Sequence, residues 1–155
     1  MTASISLCMI VRDEAAMLPA FLEAARGVWD ELVAVDTGSV DATPALLARA
    51  GATVISRPWG GDFAAARNFG LERASGDWVL VLDADERVSP ELSTALRQVA
   101  ADARSGAASL LVVNELPHGH WRRSRLLRMF RNGAGIRFRH AIHESAGDDV
   151  ASFLS

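Results

Sequence analysis

Apolar and polar residues follow two different spacings along this chain, and the two spacings alternate. Short runs of mostly apolar residues predict strands that are buried on both faces, as in a parallel sheet. These runs occupy residues 4–11, 31–36, 52–56 and 78–82. Between the runs, apolar residues recur every three or four positions, which is typical of amphipathic helices. Helices are therefore predicted at residues 15–26, 45–50, 63–74 and 90–103.

The order of these elements predicts the fold class. Strands and helices that alternate at this spacing form right-handed βαβ units around a parallel sheet. Two later apolar runs, 109–114 and 126–130, are joined by a short connection without a helical pattern, so we expect them to be antiparallel. Residues 135–145 fit either a further edge strand or an extended loop. The sequence predicts a three-layer α/β domain, with a mostly parallel sheet and an antiparallel extension.

Short polar residues at the predicted helix starts are the expected N-caps, because their side chains accept hydrogen bonds from free backbone N–H groups. Asp13 is the expected cap of the first helix, and Asp41 or Thr43 that of the second. Asp62 and Ser89 are expected to start the third and fourth helices in the same way.

Composition places the chain among ordinary soluble domains. Its 155 residues fit one domain, and 50% are apolar and 23% charged. No apolar run approaches the roughly 18 residues that a membrane span needs, and the first residues lack the basic stretch of a secretion signal. We therefore expect a cytoplasmic location. The single cysteine, Cys8, lies in the first predicted strand and is expected to pack in the core.

Charge is unevenly distributed, although the net charge is only −3. Residues 1–105 carry nine arginines against fifteen acidic residues, and residues 106–155 carry seven arginines against four. The late arginines fit either a solvated strand face or a site for diphosphate, nucleic acid or anionic lipid headgroups. The aromatic residues among them are Trp121, Phe130 and Phe138. They follow the apolar side of the strands, so we expect core packing and no nucleic-acid partner.

Carboxylates cluster directly after the run at 78–82. Asp83 and Asp85 follow this predicted strand, and ligands of open α/β sheets bind at the carboxyl ends of the strands. If the backbone stays extended, both side chains point the same way and suit Mg²⁺ or Mn²⁺, which take further ligands from water and phosphates. A solvated turn is the plainer alternative. Asp36 also ends a predicted strand, where it would hydrogen-bond a nucleoside.

Three other residues are candidates for chemistry. Arg67 lies on the apolar face of its predicted helix, where a guanidinium needs a carboxylate or phosphate partner unless its head reaches solvent. His143 and Glu144 would ligate a cation and act as general base, respectively, or are simply exposed polar residues of an extended segment.

Several other classes of site lack their motifs in this sequence. The chain has no G-x-G-x-x-G fingerprint, no P-loop and no G-x-S-x-G elbow. A phosphoacceptor receiver domain would also place acids at strand ends, but it needs a lysine and this chain has none.

Three segments in order carry a family resemblance: ISLCMIVRDE, ELVAVDTGSVDAT and WGGDFAAARNFGLERASGDWVLVLDADE. Together they resemble the inverting glycosyltransferase family 2 of GT-A fold, closest to the branch of lipopolysaccharide-core and peptide glycosyltransferases. RLLRMFRN and FRHAIHE resemble that branch too. The family usually has Asn-Glu where this chain has Asp13-Glu14.

The resemblance implies a role for each matching residue. Val11, Glu14 and Asp36 would contact the nucleoside of a nucleotide diphosphate sugar, and Asp62, Arg67 and Asn68 its ribose and diphosphate. Asp83 and Asp85 match the metal-binding D-x-D motif for Mg²⁺ or Mn²⁺. Asp85 and Arg67 would act in catalysis. His143 and Glu144 match the late His-Glu pair of the branch, whereas their roles as metal ligand and base are assigned from their chemistry alone.

The resemblance also implies an organisation for the whole chain. Residues 1–145 would form the catalytic domain and 146–155 a flexible tail. Because such domains usually continue after the late His-Glu pair, we expect a domain that is short at its C-terminal end. The acceptor would be an unknown glycan, lipid or peptide in cell-envelope polysaccharide synthesis, reached by peripheral association with the inner membrane face. The alternative is a catalytically silent nucleotide-binding module or assembly subunit.

Overall fold

A computed structural model describes residues 2–139. Its strands are β1 (Ile5–Val11), β2 (Glu31–Asp36), β3 (Thr53–Ser56), β4 (Trp78–Val81), β5 (Ala107–Leu116) and β6 (His120–Arg131). Its helices are α1 (Leu18–Ala24), α2 (Thr43–Arg49), α3 (Phe63–Leu71) and α4 (Pro90–Ala101), with a 3₁₀ turn at Pro117–Gly119. Within residues 2–139, each helix is too short or too polar to cross a bilayer.

The six strands form one sheet in the order β3-β2-β1-β4-β6-β5. The four strands from β3 to β4 are parallel, while β6 is antiparallel to both β4 and β5. The predicted α/β class, with a mostly parallel sheet and an antiparallel extension, is confirmed.

The side chains of alternate residues in the central strands pack into two hydrophobic cores, one on each face of the sheet. Leu7, Leu80 and their neighbours pack against α1, α2 and α4, whereas Cys8, Val79 and Val81 pack against α3 and the segment after β6. The helices therefore form an outer layer on each side of the sheet. Cys8 is buried and packs in the core as expected, and this burial raises the pKa of its thiol to about 12, which disfavours the nucleophilic thiolate.

The helix starts confirm some of the predicted caps. Asp62 and Ser89 cap α3 and α4 by accepting hydrogen bonds from backbone N–H groups. The cap predicted at Asp13 is wrong: α1 begins later, at Leu18, and the Asp13 carboxylate accepts from the N–H groups of Val40 and Asp41 instead. This long-range contact accompanies a positive φ of 52° at Asp13.

The antiparallel extension is longer than predicted. Strands β5 and β6 form a hairpin closed by a tight turn. Their pairing begins with Ala107 opposite Phe130 and ends with Leu116 opposite His120. The predicted strands stopped early because arginines interrupt the apolar run of β6, whereas cross-strand pairing does not require an apolar pattern. Residues 135–138 form no regular strand. Phe130 and Phe138 are buried as expected, but Trp121 is exposed, so core packing was the wrong expectation for it.

Gly76, two residues before β4, lies very close to Ser6 of β1. A methyl group there would lie 2.7 Å from the Ser6 hydroxyl oxygen and 3.0 Å from the Ser6 backbone nitrogen. We expect Gly76→Ala to lower the free energy of unfolding by about 1–3 kcal/mol, because the strands must separate to admit the methyl group. Gly60→Ala is the control, since no atom lies within 4 Å of that methyl position. Equal urea-unfolding midpoints for the two variants would contradict this packing.

Candidate active site

The site lies where the direction of strand connection reverses. Strand β1 is in the middle of the parallel strands, with β2 on one side and β4 on the other. The loops that follow β1 and β4 therefore diverge, and they leave a crevice at the carboxyl edge of the sheet. Glu14 enters this crevice after β1, and Asp83 and Asp85 enter it after β4.

The chain turns sharply after β4 and does not remain extended. The Glu86 N–H donates to the Asp83 carbonyl oxygen at 3.0 Å. In return, the Asp83 N–H donates to Glu86 Oε2 at 2.8 Å. We call residues 83–86 the acidic turn. It leaves Asp85 exposed, while Asp83 and Glu86 are partly covered.

Two arginines hold Asp83 from opposite sides. Arg67 of α3, only 8% exposed, donates from Nη2 to Asp83 Oδ1 at 2.8 Å. Arg128 of β6 places Nη1 3.7 Å from Asp83 Oδ2, and its Nη2 donates to Glu86 Oε1 at 2.7 Å. The prediction that Arg67 needs an anionic partner is confirmed. Each oxygen of Asp83 faces a guanidinium, which fixes its orientation at the cleft.

A β-bulge brings Arg128 to the acidic turn. Ser109 pairs with Leu127 and Ala108 with Met129, so Arg128 is an extra residue in β6. A bulge turns its side chain out of the regular alternation and is common beside functional sites. Arg128 is one of the late arginines, for which the sequence left a solvated strand face and an anion site open; its contact with Asp83 was not expected. The signal available was an arginine within an otherwise apolar stretch of β6.

The crevice is a cleft of about 710 Å³. Five of the residues expected to bind substrate or metal line it: Val11, Glu14, Arg67, Asp83 and Asp85. The cleft also has lining residues that the sequence analysis missed: Ile10, Arg12, Thr37, Trp59, Phe63 and Ala84. Trp59 and Phe63 form an aromatic pair with ring centroids 4.6 Å apart. The segment Trp-Gly-Gly-Asp-Phe, which leads from the preceding loop into the first residue of α3, was their signal in the sequence.

Three other expected site residues do not line this cleft. Asp36 is buried and accepts hydrogen bonds from the backbone N–H and hydroxyl of Ser39. Asp62 caps α3. Asn68 bonds through both its side-chain oxygen and nitrogen to the backbone of Phe138. Their substrate contacts stay predictions.

His143 and Glu144 lie outside the described residues, as does the boundary expected at residue 145. Their roles as cation ligand and general base therefore stay predictions too.

Burial and neighbouring carboxylates raise the pKa of two acidic residues at the site, Glu14 and Glu86. Partial burial, and then the charges of Asp85 and Asp83, raises the pKa of Glu14. Burial likewise raises the pKa of Glu86, against the opposing effect of Arg128. A bound cation would relieve this repulsion among the carboxylates.

The residues present fit a hard divalent cation with few protein ligands. Carboxylate oxygens are the ligands that Mg²⁺ and Mn²⁺ prefer, and Asp85 is exposed at the cleft. No three His, Cys, Asp or Glu side chains within residues 2–139 converge into a metal cage. A cation here would therefore complete its shell with water and substrate oxygens.

Solved structures establish the type of fold. The structure of mannosyltransferase PcManGT from Pyrobaculum calidifontis, in complex with GDP-Man and Mn²⁺, superimposes with a TM-score of 0.71 at 20% identity and covers 99% of this chain and 52% of that one. The S. aureus TarS structure in complex with UDP gives a TM-score of 0.70 at 16% identity, over 97% of this chain and 54% of that one. The domain thus shares the GT-A fold of these two structures.

The sequence comparison identifies the family. A family profile described as Glycosyl transferase family 2 matches residues 6–153. This chain therefore belongs to glycosyl transferase family 2.

Two curated relatives extend beyond this chain. A TPR repeat-containing protein of Synechococcus elongatus is 45% identical over 148 residues, which are 96% of this chain and 36% of that protein. An uncharacterized glycosyltransferase of Rickettsia felis is 34% identical over 97 residues, 63% of this chain and 34% of that protein. The chain spans about a third of the length of these relatives.

The ion pairs between Arg128 and the acidic turn should contribute to the free energy of unfolding. Arg128→Ala would leave Glu86 partly buried without its guanidinium partner, and we expect it to lower the free energy of unfolding by about 1–3 kcal/mol. Arg125→Ala, on the same strand but exposed, should change it by less than about 0.5 kcal/mol. Chemical denaturation measures both variants. Equal stabilities would show that the Arg128 ion pairs do not hold the turn.

Proposed function

We propose that this domain transfers a sugar from a nucleotide diphosphate sugar to an acceptor, with inversion at the transferred carbon. The observation that carries the proposal is the cleft at the strand reversal. There, Asp83 is fixed by two arginines and Asp85 is exposed beside it. A carboxylate that would bind a cation and guanidinium groups that would face a diphosphate therefore lie close together. Membership of family 2 supports the same reaction class.

The donor would lie across the cleft from the end of β1 to the acidic turn. Val11 and Glu14 line the β1 side, where the nucleoside would bind, and we assign Asp36 to the same end. Arg67 lines the diphosphate side, and we assign Asp62, the N-cap of α3, and Asn68, the residue after Arg67, to that side. A nucleotide sugar fits this use of the cleft, and GDP-Man is the ligand of the similar PcManGT structure. The base and the sugar stay open.

Asp85 would be the main protein ligand of Mg²⁺ or Mn²⁺, because both oxygens of Asp83 already face arginines. Asp83 would then share the cation through its oxygen at the longer, 3.7 Å contact with Arg128. When bound, the cation would offset charge that develops on the leaving diphosphate. Mn²⁺ in the PcManGT structure supports this choice of metal.

The remaining chemistry is proton transfer and charge stabilisation by the chain itself. Arg67 is held rigidly at the cleft wall and would stabilise the departing diphosphate. Glu144 would remove the proton of the acceptor hydroxyl as it attacks, and His143 would add a ligand on the metal side. Attack from the face opposite the leaving group gives inversion.

The acceptor class follows from the chain only in outline. A glycan, lipid or peptide acceptor in cell-envelope polysaccharide synthesis fits the family resemblance. A protein in the cytoplasm that associates with the inner membrane face would reach such an acceptor.

Asp85→Asn tests the proposed function directly. We expect turnover of a nucleotide sugar in the presence of Mn²⁺ to fall about 100-fold or more, because the developing charge loses its counter-ion. Glu23→Gln, which alters an exposed carboxylate on α1, should leave turnover unchanged.

Calorimetry with a nucleoside diphosphate and Mn²⁺ accompanies this assay. Turnover by Asp85→Asn at the rate of the unaltered chain would overturn the proposed role of Asp85. If the unaltered chain bound the nucleotide but showed no turnover, it would be a silent binding module and not an enzyme.

A further inference from the structure

The β5–β6 hairpin, residues 107–131, projects beyond the carboxyl edge of the sheet. Leu80 of β4 pairs with Met129 of β6, and β4 ends one residue later. Residues 120–127 therefore continue past the end of β4, over roughly 25 Å at the rise of an extended strand. The hairpin and the cleft therefore lie at the same edge of the sheet, the one formed by the carboxyl ends of the parallel strands.

Exposed apolar side chains concentrate on this hairpin. Of nine large apolar residues that are exposed within residues 2–139, five belong to it. They are Leu111, Val113, Leu116, Trp121 and Leu126, with exposed fractions between 40% and 62%. A cluster of this kind on one projecting element is typical of an interaction surface.

Basic side chains lie among these apolar ones. Leu111 pairs across the strands with Arg125, and Val113 with Arg123, so these guanidinium and apolar groups share one face. Arg122, Leu116 and Leu126 lie on the opposite face, which is therefore also both basic and apolar. Arg122, Arg123 and Arg125 form no ion pair within the described residues. The hairpin carries a single acidic residue, Glu115. Its outer part is therefore both apolar and positively charged.

We propose that the β5–β6 hairpin binds the surface of an anionic lipid bilayer. Lipid phosphates accept guanidinium groups without a fixed geometry, and the adjoining acyl boundary accepts Leu, Val and Trp side chains. Charge complementarity favours this partner over a second copy of the chain. Two copies of the hairpin would bring three arginines of each against those of the other, with only Glu115 to offset them.

This inference rests on the proposed function only for what it says about the acceptor, since binding to lipid can be measured independently. A hairpin on the bilayer surface would turn the neighbouring cleft toward the lipid. The acceptor hydroxyl would then belong to a molecule held in that bilayer. Lipid binding itself requires neither donor nor cation, so the two proposals fail separately.

Vesicle flotation tests the proposal, with phosphatidylcholine vesicles that either contain or lack phosphatidylglycerol. We expect the chain to float only with phosphatidylglycerol, and less so as salt is raised, because salt screens exposed charges. Changing Arg122, Arg123 and Arg125 together to serine should lower vesicle binding about 100-fold, at about fivefold for each arginine. The matched control changes three exposed arginines elsewhere, Arg26, Arg49 and Arg104, to serine, with the same loss of charge.

A second variant locates the contact if the triple variant folds poorly. Trp121 is exposed in the free chain, so its fluorescence should shift to shorter wavelength on anionic vesicles. Trp121→Phe should still bind these vesicles and lose that shift.

Three results would overturn the proposal. They are absence of binding to anionic vesicles, equal binding by the two triple variants, or an unchanged fluorescence shift in Trp121→Phe. Sedimentation velocity adds a fourth: self-association of the chain that the hairpin variants abolish would make this surface an interface between copies. Calorimetry with a nucleoside diphosphate and Mn²⁺ on the same variants reports separately on the donor site.

Discussion

The ion pairs around Asp83 connect the parts of this domain that the site requires. Arg67 comes from α3 on one face of the sheet, and Arg128 comes from the antiparallel strand β6. Both meet a carboxylate that follows the central strand β4. Because each guanidinium is largely covered, neither can exchange its partner for water at low cost. The site therefore depends on parallel and antiparallel parts of one sheet packing in register.

The two aspartates of the D-x-D motif therefore have different surroundings. Asp83 is constrained by its arginines, and Asp85 is left exposed at the cleft by the turn. Burial raises the pKa of Glu86, although Arg128 and the Asp83 N–H that closes the turn both act in the opposite direction. A fixed, partly neutralised carboxylate beside an exposed one suits the proposed binding of a cation and a diphosphate.

Local patterns in the sequence predicted the parallel half of the fold and part of the site. Buried strands that end in acids, and an arginine on an apolar helix face, are each visible within a few residues. The position of Arg128 was not predictable in this way, because its bulge depends on the register between β5 and β6. Core packing was wrongly expected for Trp121 for a related reason. The β5–β6 hairpin continues past the hydrophobic core, and Trp121 lies in the part beyond it. Asp13 was misassigned because its partners at residues 40 and 41 are distant in sequence.

Anomalous diffraction at the manganese edge, on crystals grown with Mn²⁺ and a nucleoside diphosphate, would locate the cation relative to the two aspartates. We predict one manganese peak within coordination distance of Asp85, with Asp83 still paired to Arg67 and Arg128. The remaining ligands would be diphosphate oxygens and water. Nucleotide bound in the cleft without manganese at either aspartate, or manganese bound only elsewhere on the chain, would contradict it.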